Sequence, residues 1–396
     1  MSPACDLARE RGLALYLVGG AVRDLLLGRP VVDVDLVVES DAAGFARELG
    51  RRTGSRVTVH GRFGTAVLES PSGGRLDVAT ARSESYERPG ALPRVQPGSI
   101  DDDLARRDFT INAMAMEIAR SSRPRLRDPF GGREDLSRGL VRILHRRSPF
   151  DDPTRAFRAV RYANRLGFRI ERRTRRWIRE ALGEGVLDGV SGDRVRREIA
   201  HLFSEKRWAI AARELAAIGL ASAVHPSLRF DSATGRRLRA AERLTAESGL
   251  GTTWLVYLLS WMGETTRREA EAIAERLNLP RAAAAAVRGW PRTRRRLAAA
   301  AGESPARRLA AVGAVTDDEV LAVAAELPAV LRGRLLEARG AAARLSLTIR
   351  GRDLLAAGVT PGPAIGRALS ATLSARREGA IRPDQELWFA LKAARS

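Results

Sequence analysis

The chain reads as an α+β fold, with a head of mixed strands and helices followed by a longer, all-helical remainder. Two observations predict this. Runs of strand character at 13–18, 33–38, 56–59, 65–69 and 75–80, with a shorter one at 115–119, all fall before residue 143. From about Arg142 onward Ala, Leu, Arg and Glu dominate and strand alternation disappears. A length of 396 residues allows about two to four domains and a sizeable core.

Charge narrows the function classes. Lys and Arg total 68 against 47 Asp and Glu, a net +21 with pI ≈ 11.4. The positive charge is almost all arginine, spread along the chain, and favours a polyanionic partner, most simply nucleic acid. A GC-rich genome explains arginine in place of lysine but not the excess. The single cysteine, Cys5, excludes an internal disulfide and suits a reducing compartment. No long apolar run and no signal-like N-terminus is present, so a soluble, cytoplasmic protein is expected.

The head opens with a buried strand, Leu13 to Val18, ended by Gly19 and Gly20. A short helix over Val22 to Leu27 stops at Gly28. Asp33 and Asp35 then open a second strand, Val34 to Val38. Residues i and i+2 share a strand face, so the two carboxylates lie about 7 Å apart and can reach one cation or bridge two. Hard oxygen ligands of this kind suit Mg²⁺. The Gly-Gly turn offers backbone N–H groups to an anion, and Arg23 adds charge. Together these elements suit phosphoryl or nucleotidyl transfer. Taken singly, D-x-D is also a common solvated strand edge and G-G a common turn.

A helix is expected over 42–52. Asp77, on the strand Arg75 to Thr80, either completes the acidic group or is an ordinary polar strand residue. Residues 82–103 carry three prolines, three arginines and five acids without periodicity, and read as a long loop, functional or passive. In Arg106-Arg107-Asp108-Phe109-Thr110-Ile111-Asn112-Ala113-Met114-Ala115, the arginines suit a triphosphate and Asp108 an acceptor for a ribose hydroxyl. Gly131-Gly132 fits a hinge.

Asp151-Asp152-Pro153-Thr154-Arg155 allows two readings. Pro153 suits the first turn of a helix, with Asp152 its N-cap. Alternatively, Asp152 and Arg155, at i and i+3, read a base edge. The carboxylate accepts from the N4 amine of cytosine or the N6 amine of adenine. The guanidinium donates to cytosine N3 or adenine N1. Guanine and uracil reverse both contacts. The candidate base contacts are Asp152, Arg155, Arg158 and Asp151. Beyond them, helix breaks are expected near Gly183–Gly192, His225–Pro226, Gly249–Gly251, Pro280 and Gly351, and the Ala-rich runs 282–286 and 298–301 read as helix.

The strings GGAVRDLLLG, DVDL, RRDFTINAMA, DPFGG and DDPTR together resemble the bacterial-type (class II) tRNA nucleotidyltransferase and poly(A) polymerase family, most closely its CCA-adding members. That family lies within the nucleotidyltransferase superfamily typified by DNA polymerase β. The resemblance is strong over 13 to about 203. It weakens over the tail, at Ile349 to Leu355 and Pro361 to Gly366, and 205–345 carry no named motif.

The resemblance implies a nucleotidyltransferase head with a mixed sheet over 1–143, a helical neck over 144–204, a body over 205–300 and a tail over 301–396. It implies addition of CMP and AMP to the tRNA 3′ end from CTP and ATP, without a nucleic-acid template. Asp33 and Asp35 hold Mg²⁺ and Asp77 is the third carboxylate. Gly19, Gly20, Arg23 and Arg107 hold the triphosphate, and Asp108 reads the ribose. Asp152 and Arg155 form an amino-acid template. In the family it reads Glu-Asp-x-x-Arg; here Asp151 stands in place of the Glu, one methylene shorter. Segment 82–103 corresponds to a flexible loop that takes part in selecting the last nucleotide. Ser191 to Glu198 resembles a helix start that braces the template helix.

Three alternatives remain within the enzyme class: CC-only addition, A-only addition, and poly(A) polymerase. Against the last, His60-Gly61-Arg62-Phe63-Gly64-Thr65 is less basic than expected. A non-catalytic RNA-binding protein would be expected to have lost an acid from D-x-D, and none is lost. No His-Asp dipeptide marks an appended phosphohydrolase.

Overall fold

The computed structural model describes residues 2–60, 64–120, 124–205, 207–248 and 254–395. Two breaks or motifs named above, Gly249–Gly251 and the Gly61–Phe63 part of the His60 string, lie outside them. The described chain divides into two compact units, one over 1–206 with 217–223 and the other over 207–216 with 224–396.

The first unit begins with α1 (Ser2–Glu10), β1 (Leu15–Val18), α2 (Gly20–Leu26), β2 (Val34–Val38) and α3 (Ala42–Thr53). Next come β3 (Arg56–His60), β4 (Thr65–Glu69), β5 (Arg75–Thr80), β6 (Arg82–Ser85), β7 (Arg94–Pro97) and α4 (Ile100–Ala105). They are followed by β8 (Ala115–Glu117), β9 (Arg125–Arg127), α5 (Gly132–Arg138) and β10 (Leu140–Val141). The unit continues with α6 (Ser148–Asp151), α7 (Arg155–Leu166), β11 (Arg169–Ile170), α8 (Arg172–Gly183) and α9 (Gly192–Phe203).

Seven strands form one sheet in the order β3-β4-β5-β2-β1-β8-β9. It is mixed: β2 runs parallel to β5 and the other described pairings are antiparallel. Central β1 is buried along its whole length, whereas edge strand β3 alternates exposed and half-buried residues. On one face Tyr16, Val18, Val37, Ile100 and Leu104 form a core with Phe130 packed against it.

Two sequence expectations are corrected. Segment 82–103 is not a loop throughout. β6 and β7 pair as an antiparallel hairpin, and α4 starts in a capping box between Ser99 and Asp102. Its strands are short and polar, and charge pairing replaces apolar alternation: Glu84 is bound by Arg82 and Arg106, each at 3.0 Å. Nor does a helix start at Pro153 with Asp152 as its cap. Asp152 ends α6, and α7 starts at Arg155. The tiny parallel pair β10–β11 was also unforeseen.

The second unit is helical and has its own core. Trp208 packs on Tyr257 at 4.1 Å between ring centroids, and buried Trp290 donates to the Gly263 carbonyl at 2.9 Å. Near the C-terminus, buried Glu386 accepts from Thr348 N and Oγ1 and from Arg376, each at 2.7 Å. Both Ala-rich runs fall in, or at the end of, the helix Arg281–Ala300. No helix among the described residues is long and apolar enough to cross a membrane.

Candidate active site

The site is built in the first unit, where β1 gives way to α2. Gly19 has φ +68°, and a Cβ there would lie 2.5 Å from Arg107 Nη1. Glycine is therefore needed twice over, for the backbone turn and for the guanidinium that lies against it. Arg107 is held by Asp103 Oδ2 at 2.8 Å and reaches the Asn112 carbonyl at 3.4 Å. Asp103 is buried between Arg106 and Arg107. Burial pushes its carboxyl up, and the two guanidiniums outweigh this and hold it below the usual range. Arg23 points inward. Its guanidinium grips Asp24 with two nitrogens and Asn112 Oδ1 at 2.8 Å, and sits 5.4 Å from the Tyr162 ring centroid.

The acids lie on the neighbouring strands. Asp35 and Asp77 are directly opposite in the parallel register of β2 and β5, and Asp33 stands one residue before β2. Burial raises the Asp35 pKa, the negative charges of Asp77 and Asp33 raise it further, and Arg107 opposes them. Asp77 accepts from Arg75 at 3.2 Å. No group of three or more His, Cys, Asp or Glu among the described residues is arranged as a finished metal centre. The donor set still fits a hard cation: crowded carboxylates on adjacent strands, with Asp35 unrelieved by any hydrogen bond from the described residues.

Asp35, Arg106 and Arg107 line two cavities. One, of about 390 Å³, also holds Asp77, His60, Arg75 and Arg82. The other, of about 300 Å³, gathers Gly20, Glu84, Tyr86, Asp108, Asn112, Asp152, Arg155, Arg158 and Tyr162. Of the residues expected from sequence, Gly20, Asp35, Arg107, Asp108, Asp152, Arg155 and Arg158 thus meet around one space. Gly19 borders it through Arg107. Asp33, Asp77, Arg23 and Asp151 do not line it. Asp151 lies 3.8 Å from Arg147 instead, and its carbonyl accepts from Gly90 N.

Asp152 Oδ1 accepts from Thr154 N at 3.1 Å, Thr154 Oγ1 at 2.7 Å and Arg194 Nη2 at 2.8 Å. All the described donors fall on that one oxygen. Arg155 is buried and donates to Ser148 Oγ at 2.6 Å and the Arg106 carbonyl at 2.7 Å. Each terminal nitrogen keeps a second hydrogen. Asp108 Oδ1 accepts from Phe109 N and Asn112 Nδ2, while the buried Oδ2 pairs with Arg158 at 2.5 Å. Burial pushes Asp108 up, but Arg158, Asn112 and Arg155 together hold it below the usual range, and Asp108 in turn raises Arg158.

Sequence reasoning did not single out Glu84, Tyr86, Asn112, Tyr162 or Arg194. Tyr162 carried a signal, since Arg155, Arg158 and Tyr162 at i, i+3 and i+7 share one face of α7. Glu84 and Tyr86 carried none, because only the hairpin brings them here.

The head-domain family described as "Poly A polymerase head domain" matches residues 15–142, and "Probable RNA and SrmB- binding site of polymerase A" matches 167–231. Across 98% of its own length, and 92% of the relative's, the chain is 34% identical to the CC-adding tRNA nucleotidyltransferase of Deinococcus radiodurans. The chain belongs to the bacterial tRNA nucleotidyltransferase family. Over 63% of the chain and 29% of the relative, it is also 40% identical to the A-adding tRNA nucleotidyltransferase of Geobacter sulfurreducens. The chain spans between 24% and 47% of the length of the A-adding tRNA nucleotidyltransferases it matches. A solved Thermotoga maritima CCA-adding enzyme complexed with tRNA superposes with a TM-score of 0.74 at 29% identity, over 99% of this chain and 94% of that one. Bacterial tRNA nucleotidyltransferases thus match this chain in both sequence and fold.

Proposed function

We propose that this chain adds CMP and AMP, from CTP and ATP, to the 3′ end of tRNA without a nucleic-acid template. The observation that carries the proposal is the single cavity lined by Asp35, Arg107, Asp108, Asp152, Arg155 and Arg158. It offers, in order, a metal carboxylate, a phosphate cation, a ribose acceptor and a base-reading pair. The tRNA 3′-hydroxyl attacks the α-phosphate and pyrophosphate leaves.

Asp33 and Asp35 would hold a divalent cation, for which we propose Mg²⁺, with Asp77 assisting. When bound, such an ion stabilises the attacking and leaving oxygens. Arg107, steadied by Asp103, neutralises the triphosphate. Arg23 acts from behind by fixing Asn112 and, through it, Asp108. Asp108, paired with Arg158 at 2.5 Å, is the acceptor for the ribose hydroxyl in this reading. Asp152 Oδ2 accepts from the cytosine or adenine amine while Arg155 donates to the ring nitrogen. Guanine and uracil would leave buried groups unpaired, at about 1–3 kcal/mol each. The head, neck, body and tail divisions at 143, 204 and 300 belong to this reading, as does a cytoplasmic location.

A narrower reading, CC-only or A-only addition, is favoured by the names of the relatives. A full-length match is CC-adding, while A-adding relatives are 40% to 46% identical over half or more of the chain. The experiment supplies CTP and ATP with tRNAs ending at the discriminator base, at C and at CC, and sequences the products. Growth of all three to CCA supports the proposal. Arrest at CC, or extension of the CC substrate alone, selects the narrower readings, and long A tails indicate a poly(A) polymerase. Asp33→Ala and Asp35→Ala should abolish incorporation while tRNA binding persists. Substantial cation-dependent turnover in either variant removes the metal assignment.

A further inference from the structure

A base held only by its edge needs a contact across its face. Asp152 and Arg155 supply edge contacts alone. The aromatic residues lining the cavity are Tyr86 and Tyr162. Tyr162 is already enclosed. The guanidinium carbons of Arg161, Arg23 and Arg158 lie 5.3, 5.4 and 6.0 Å from its centroid, and Phe109 meets it edge-on at 5.6 Å. No ring or cation from the described residues stacks on Tyr86. Its hydroxyl donates to Glu84 Oε2 at 3.1 Å, and Glu84 is anchored by Arg82 and Arg106. This tether holds the hydroxyl end of the half-buried ring at the cavity wall.

The hairpin that carries Tyr86 is also fixed at its tip. Buried Gly90 has φ +73°, its N–H donates to the Asp151 carbonyl at 3.3 Å, and its own carbonyl accepts from Arg194 at 2.7 Å. A Cβ on Gly90 would meet Val190 at 3.0 Å and the Gly189 backbone at 3.2 Å. The ring is therefore presented from a docked element rather than a free loop. Burial pushes the phenol up to about 12, so it remains neutral at working pH.

We propose that Tyr86 is the stacking platform for the base of the incoming nucleoside triphosphate. The inference rests on the base-reading role given above to Asp152 and Arg155. Identity comes from the edge contacts, and affinity for any base from the ring, because every base has a π face. A purine covers more of the ring than a pyrimidine, so ATP depends on it more than CTP does.

The test uses the full chain. Dissociation constants for ATP and CTP are measured by calorimetry without tRNA, and kcat and KM with tRNA. Tyr86→Leu removes the aromatic face and should weaken ATP binding by about five- to a hundredfold, with CTP affected less. The loss should appear in KM, with the CTP-over-UTP preference retained. Tyr86→Phe keeps the ring and should stay close to wild type. If Leu disturbs the hairpin, seen as a lowered Tm, Tyr86→His presents a smaller ring and should fall between Phe and Leu. Equal weakening by Phe and Leu would assign the effect to the hydroxyl anchor and overturn the proposal. So would unchanged affinities in a normally stable Leu or His variant. Asp152→Asn, run in parallel, separates the two readings. Lost discrimination there with intact affinity in Tyr86→Leu sinks the platform alone. The converse sinks the edge reading alone.

Discussion

Arg194 and Asp152 are joined through one guanidinium nitrogen and one carboxylate oxygen, Nη2 to Oδ1, at 2.8 Å. The other terminal nitrogen of Arg194 holds the Gly90 carbonyl at the hairpin tip. One cation thus sets both the Asp152 carboxylate and the element that carries Tyr86. Arg194→Ala should release both. The expected result is a fall in the kcat/KM ratio of CTP over UTP and of ATP over GTP, with tRNA affinity unmoved. Arg194→Lys has one nitrogen and cannot span both acceptors, so it should recover only part. Wild-type ratios in the Ala variant would show that Asp152 holds its place without Arg194.

The reading of Asp152 as a base contact is open to a separate check. Asn still accepts from Thr154 and Arg194 but gives up the charge, so a purely structural role predicts a loss of stability with base preference unchanged. Its amide can also rotate to donate to uracil O4 or guanine O6. Discrimination should therefore fall by more than catalysis. Arg155→Ala should instead lower the use of CTP and ATP alike. Nucleotide-competition kinetics on both variants decide. Unchanged ratios in a stable Asp152→Asn protein would move base reading elsewhere.

The charge on Asp35 predicts an unusual stability profile. Its pKa is raised in the folded state, so protonation favours the fold and ionisation at neutral pH costs stability. That contribution is present below the unfolded carboxylate range and is lost as pH rises through the folded pKa. Asp35→Asn cannot ionise. In the absence of divalent cations it should have a higher Tm than wild type at pH 7, with the gap closing as pH falls through the carboxylate range. Adding Mg²⁺ should raise the Tm of wild type and leave that of the variant nearly unmoved. A variant less stable than wild type at pH 7 would contradict this.

At Gly19 strain and function are separable. Gly19 has φ +68° and ψ −127°, outside the left-handed helical region, and alanine held there costs about 1–3 kcal/mol. The clash with Arg107 is at the far end of a flexible side chain, but Asp103 pins that end. Gly19→Ala should therefore lower stability modestly and raise KM for both nucleotides by displacing Arg107. Denaturant titration and steady-state kinetics measure the two effects, and an unchanged KM would mean that Arg107 does not serve the triphosphate.

The excess of 21 positive charges should be visible in RNA binding. Phosphates neutralised by arginine release counterions, so tRNA affinity should fall steeply with salt, while the Kd for CTP changes less. A flat salt response between low and moderate ionic strength would mean that the charge faces solvent.

Most strands of the main sheet were legible as apolar runs, but β9, Arg125–Arg127, was not, and the carboxylate set directly opposite Asp35 is Asp77, which is distant in sequence. The hairpin was illegible for the opposite reason. Arg82, Glu84 and Arg94 make its strands look like solvated loop, and only the partners Arg106 and Arg194, distant in sequence, give them a place. Arg23 shows the same limit. Its position beside the glycines marks it as a phosphate ligand, while its inward turn depends on Asn112, which sequence proximity does not reveal. Asp152 and Arg155 do line one cavity, but not as neighbours on one helix face, because Pro153 sits in a turn and Asp152 lies before the helix that starts at Arg155.

The parallel pairing of β2 with β5 bears on how the head acquires its acidic pair. Parallel neighbours require a crossover, and here α3, β3 and β4 lie between the two strands. Asp35 and Asp77 therefore come together only when that whole excursion has closed, a non-local event that is slow relative to local helix and hairpin formation. A nascent or partly opened head holds Asp35 and Asp77 apart. A cation bound at the proposed site would favour the closed sheet by mass action.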